Sequence, residues 1–194
     1  VTPRPAASAA PPPAAPPPAA APPAEPPPGG GGSPVEGGTA QRWTLELARA
    51  ALLAARSRDQ VVKAALRYAR DFFDYAAVFA ITRDVIWGHD AIGPDAEARD
   101  RCRGVAVGME QPSFFRQVIE VGAPYLGPVP PDPMNEAILR GLGRASPRTV
   151  LLYPVLLRQR PVCVLFADNG AAPVSARRLG DLLVLASAIG PALE

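Results

Sequence analysis

The chain has 194 residues, a formal net charge of +2 with its single histidine neutral, two cysteines and 26 prolines. So small a charge, with the basic residues scattered, excludes an electrostatic nucleic-acid binder. The lack of any run of about 18 apolar residues excludes a membrane-spanning helix, and two isolated cysteines with one histidine make neither a disulfide framework nor a zinc motif.

More than half of the prolines precede residue 35, where no residue larger than Glu25 follows Arg4. Such a segment has nothing to bury and cannot offset the entropy of ordering. Residues 1–42 therefore read as a linker, polyproline-like through Pro28 and glycine-rich to Gly38. A PxxP ligand would need an adjacent basic residue, and Arg4 is at the far end, so a spacer is expected. Residues 43–194 are a conventional globular mixture, enough for one well-buried domain. All but one of the twenty basic residues are arginine, Lys63 being the exception; with so much Ala and Pro, this reads as the codon bias of a GC-rich bacterial genome.

In chain order, Leu45, Ala48, Leu52 and Ala55 predict a helix over 43–56. Ser57 to Gln60 has the form of a capping box, and Val62, Ala65, Leu66, Ala69 and Phe73 continue as a second helix. Tyr75 to Ile81 is a strand by its aromatic and β-branched content, turned by Thr82-Arg83-Asp84 into a second strand, Val85 to His89. Ile92 to Arg101 reads as a polar loop and Arg103 to Met109 as a third strand. Ser113 opens a short helix closed by Gly122. Tyr125 and Leu126 form a brief edge strand. Asp132-Pro133 caps another short helix, with Met134, Ala137, Ile138 and Leu142 on its apolar face.

Thr149 to Asn169 is the centre of the pattern. Leu151, Tyr153, Val155 and Leu157 fall on one face of a strand and Val150, Leu152 and Leu156 on the other, so the strand lies in a sheet covered on both sides. Val162 to Ala167 repeats this, and Arg158-Gln159-Arg160 is short enough to force an antiparallel hairpin. Ser175 to Glu194 then carries the longest apolar stripe, Leu179, Leu182, Leu183, Ala186, Ile189 and Leu193. The sum is an α+β chain with a mostly antiparallel sheet of five or six strands.

The hairpin, with Pro154-Val155 in its first strand, resembles the signature of GAF domains. The opening helices with Asp59-Gln60-Val61-Val62, the strand after Phe73-Asp74 and the closing helix from Val174 to Glu194 agree with that family, although Arg158 to Pro161 lacks the glycine often seen in its turn. The resemblance implies that the first and last helices pack together on one face of the sheet, with short helices, loops and a pocket on the other. A PAS-like fold is the alternative, and would group its helices between early and late strands. The family's members are mostly regulatory modules.

Candidate sites are few. His89 has no companion ligand, so no metal is expected. Cys102 lies between Arg101 and Arg103, whose guanidiniums could acidify it, yet no histidine follows for chromophore attachment, and Cys163 reads as core. Asp90, Asp95, Glu97 and Asp100 fall in a polar loop and complete no catalytic set. No catalytic residue and no cofactor is expected. A ligand pocket between the sheet and the short helices would draw on Trp87, Phe115, Tyr125, Met134 and Tyr153, with Arg103 for an anion. Leu182, Leu185 and Ile189 are the interface candidates on the last helix. The expectation is a non-catalytic, cytoplasmic, GAF-like regulatory or assembly module of a larger bacterial protein. It would pair with itself or a neighbouring domain through its terminal helices, or alternatively sense a small molecule.

Overall fold

The computed structural model describes residues 42–174 and 176–193; all but the last residue of the expected linker lies outside them. Two helices open this part. α1 (Leu45–Ala54) is capped by Thr44, whose hydroxyl accepts the Leu47 N–H at 3.2 Å. α2 (Arg58–Ala69) is capped by Ser57, which accepts the Gln60 N–H at 3.3 Å. Gln60 returns the bond one residue earlier than a regular capping box, accepting the Arg56 N–H at 2.6 Å, and so pins the α1–α2 corner.

Six strands follow the order β3-β2-β1-β6-β5-β4. They are β1 (Tyr75–Ile81), β2 (Val85–Ile92), β3 (Ala106–Gly108), β4 (Tyr125–Gly127), β5 (Val150–Leu157) and β6 (Arg160–Asp168). Every neighbouring pair is antiparallel. The β5–β6 hairpin closes through Arg158 and Gln159, both at left-handed φ (50° and 64°). Two successive positive φ values make a type I′ turn, whose twist suits a hairpin even without glycine.

Strand parity sorts the core into two layers. Ala76, Val78, Leu151, Val155, Cys163, Leu165 and Ala167 face α1, α2 and α6 (Ala176–Ala192). Tyr75, Ala77, Phe79, Val150, Leu152, Val164 and Phe166 face the short helices α3 (Ala98–Arg103), α4 (Phe114–Val121) and α5 (Pro133–Gly141). The paired opening helices and this division are the GAF-like arrangement, not the PAS-like one.

Two expectations change. β2 runs on to Ile92, and the expected polar loop ends in α3, which packs on β2. α3 was illegible because ARDRCR offers only Ala98 and Cys102 to the core; it docks where Gly88 leaves room, a β-carbon there falling 1.8 Å from the Cys102 carbonyl oxygen. The interface candidates are also corrected. Leu182, Leu185 and Ile189 are 1%, 1% and 3% exposed, buried within the monomer. A sheet apolar on both faces needs a cover on each, and the inner stripe of α6 is one of them.

Candidate functional site

The six pocket candidates do not converge. Phe115 is fully buried, its ring centroid 4.4 Å from Phe79 and 4.6 Å from Phe114, and Phe114 stacks on Phe166 at 6.1 Å. These rings fill the space under α4 instead of lining it. Met134 and Tyr125 sit half-buried at the margin of the same layer, the Tyr125 hydroxyl donating to the Pro128 carbonyl at 2.5 Å. Trp87 and Tyr153 are on the other face. Trp87 pairs with Ala80, in phase with Ala76 and Val78, and Tyr153 packs with the α1–α2–α6 layer. Arg103 is exposed, and its Nε donates to the His89 carbonyl at 3.2 Å. Periodicity gave each residue's parity, but only the sheet order shows that Trp87 and Tyr153 share the face opposite Phe115.

The titratable candidates are also occupied. The β1–β2 ladder skips a residue between Asp90 and Gly88, leaving His89 at the bulge, where its Nε2 lies 3.2 Å from Asp59 of α2. Two of the candidate carboxylates hold arginines. Asp90, buried, accepts from Arg99 Nε at 2.6 Å, and Asp95 accepts from Arg101 Nη2 at 2.6 Å. The Arg101 bond holds the Asp95 carboxyl below its usual range.

The expectation that flanking guanidiniums acidify Cys102 fails, because burial outweighs the lowering by the Arg103 charge, while Arg101 is held by Asp95. Burial, with the Asp90 charge second, pushes the Cys102 thiol up to about 12, and burial does the same for Cys163. Neither thiol should react with a disulfide reagent at pH 8 until the protein unfolds. The sign of the pH dependence follows. The unfolded chain ionises at the ordinary thiol value of 9.0 while the folded thiols stay protonated to about 12, so stability is whole below the lower value and falls as pH rises through that window. Tyr68 and Tyr75 are raised in the same direction. Denaturation midpoints should therefore fall from pH 8 to 11, and less steeply in a Cys102→Ala/Cys163→Ala variant.

The polar feature that the residue pattern did not disclose is at the sheet's end. Asp168, fully buried as the last residue of β6, accepts both Nε (3.0 Å) and Nη2 of Arg144 and the Gly170 N–H at 2.7 Å. The Arg144 guanidinium lies 5.1 Å over the Tyr75 ring. An aspartate ending the run VLFAD was the available signal; its partner 24 residues earlier carried none. The Tyr75 hydroxyl, beneath, is buried with no hydrogen-bond partner, and burial raises its pKa well above the usual phenol range. Tyr75→Phe removes that orphaned group and should leave stability unchanged or raise it by about 1 kcal/mol in denaturant titrations; a clear loss would mean that the hydroxyl is satisfied in solution.

Among the open clefts of the described surface are five of about 340 to 620 Å³, and none of these is lined by any of the six candidates. Two of them share Arg70, Gly93 and Pro94 at the sheet's end, with charges of both signs along their walls.

Solved structures share this architecture. A GAF domain/HD domain protein from Geobacter sulfurreducens superposes with a TM-score of 0.58 at 16% identity, covering 72% of this chain and 94% of its own. The GAF domain of a phosphoenolpyruvate-protein phosphotransferase from Coxiella burnetii gives 0.63 at 14% identity, over 77% and 89%. The chain has a GAF-like fold. Another solved structure that this GAF-like chain matches is the free methionine-R-sulfoxide reductase from Neisseria meningitidis in complex with its substrate, at a TM-score of 0.55 and 16% identity over 77% and 87%. Neither a protein-family model nor a curated protein matches the sequence. At these identities the likeness shows fold alone, and the same fold occurs in a GAF domain of a phosphotransferase and in a reductase, so function must be argued from the surface. Among the described residues no helix is long and apolar enough to cross a membrane.

Proposed function

We propose that this GAF-like chain is a non-catalytic regulatory module of a larger bacterial signalling protein, and that it associates with a second copy through its layer of terminal helices. The observation that carries this is Leu53. It is 87% exposed on α1, with Leu47 and Val184 about half exposed on the same layer. Beside it an apolar groove runs between α1 and α6, lined by Leu52, Leu53, Ala188 and Pro191, with Arg49 at its edge. A protruding leucine next to an apolar groove is self-complementary about a two-fold axis, each copy's Leu53 entering the other's groove. The surface therefore differs from the one expected at Leu182, Leu185 and Ile189, which α6 turns inward. The non-catalytic part is supported by the burial of both thiols, which pushes them well above the usual thiol range.

Sedimentation equilibrium from micromolar to near-millimolar concentration tests it. A concentration-dependent dimer is expected, lost in Leu53→Glu and weakened in Val184→Glu with circular dichroism unchanged. A wild-type domain that stays monomeric throughout overturns the association reading.

A further inference from the structure

α1 is bound to the domain less deeply than the helices beneath it. It packs chiefly on α2 and α6 and fully buries only Ala48 and Leu52, where α2 buries seven residues. A cleft of about 420 Å³ lies between α1 and α2, with Ala51 and Ala54 on one side and Lys63 and Ala64 on the other. At its start, Trp43 and Leu45 pack in part against the core, and polar contacts add to this. The Trp43 N–H donates to Asp71 Oδ2 at 2.7 Å, and Arg67 Nη1 donates to Asp71 Oδ1 at 3.0 Å. The Arg67 guanidinium also lies 5.6 Å over the Trp43 indole. The Asp71 side chain is only 14% exposed, so little water competes for these bonds.

We propose that α1 is a releasable strap, with Asp71 as its latch, which opens as a unit while the sheet, α2 and α6 stay folded. Two features converge on this. α1 fully buries two side chains against the seven of α2, so its opening free energy lies below that of the whole domain. The polar contacts that tie the start of α1 to α2, the amide bond to Asp71 and the indole under Arg67, are both made by Trp43, so they are lost together, while the Arg67–Asp71 pair stays with α2. Release uncovers the surface of α2 and α6 that α1 covers, and removes Leu53 from its place beside the groove. The strap does not depend on the association reading, and it can be tested on dilute protein.

Hydrogen exchange on the whole chain provides the test. In the wild type the amides of Ala48–Ala54 should exchange well before those of β1 and β6. Asp71→Ala should speed exchange in α1 by roughly tenfold or more, the scale of hydrogen bonds to a charged group, and leave β1 and β6 as they were. In a Trp87→Phe background the remaining Trp43 emission should shift to the red in Asp71→Ala, and not in the parent. Exchange of α1 at the rate of β6 overturns the strap. So does an Asp71→Ala variant that accelerates every element together, or that does not fold.

Discussion

Asp168→Ala should destabilise the domain by about 3–5 kcal/mol, the cost of leaving a buried charge without its partner. The carboxylate is fully buried, and the guanidinium that it holds is itself only 14% exposed. Once Asp168 is gone, Arg144 keeps its place over Tyr75 with only the weaker influence of the Asp74 charge to offset it, and the Gly170 N–H loses its acceptor. The damage should spread to the neighbouring loops. The Arg148 N–H reaches the Gly170 carbonyl at 2.8 Å and the Val174 N–H reaches Thr149 Oγ1 at 3.1 Å, so both chain segments around the pair are tied to the same corner. Urea denaturation should show a lower midpoint with an unchanged slope. Replacing both partners, Arg144→Leu with Asp168→Leu, should cost less than the single change, because no unpaired charge remains. A loss under about 1 kcal/mol for Asp168→Ala would place the pair with ordinary surface ion pairs, and contradict its burial.

The second large effect contrasts two glycines of α6. At Gly190 a β-carbon would lie 2.2 Å from the Leu156 carbonyl oxygen and 3.3 Å from its carbon, so the helix reaches β5 only because no side chain intervenes. Backbone cannot yield as a flexible side chain can, and Gly190→Ala should push α6 off the sheet at a cost of about 3 kcal/mol. At Gly180, exposed and with nothing within 4 Å of an added β-carbon, alanine should instead stabilise by about 0.5–1 kcal/mol through helix propensity. Thermal melts of the two variants should move in opposite directions. A loss in both would mean that α6 is sensitive to any substitution, and not specifically to the contact at Leu156.

Much of the architecture was legible because local rules sufficed for it. The two-sided apolar run of β5 announced a sheet covered on both faces, and Ser57, Ser113 and Asp132 cap the helices expected of them. Gly122, at φ 67°, ends α4 in the left-handed conformation that its position suggested. α3 was not legible, since a six-residue helix with two small buried side chains carries no periodic signal. The stripe of α6 was read correctly as apolar and incorrectly as surplus, because its width had to be weighed against a sheet whose helix-side area the residue pattern does not state.

By itself, then, the amino-acid sequence determined which segments are helices and strands, α3 excepted, that the strands pair antiparallel, and that the core has two layers: these depend on periods of two and 3.6 residues and on short connections. The tertiary structure alone decided which residues meet. It set Trp87 and Tyr153 across the sheet from Phe115, turned Leu185 inward and Leu53 outward, and joined Arg144 to Asp168. The reason is that parity along one strand assigns alternate faces, while the identity of the facing element depends on sheet order and helix docking, which are contacts between residues far apart in the chain.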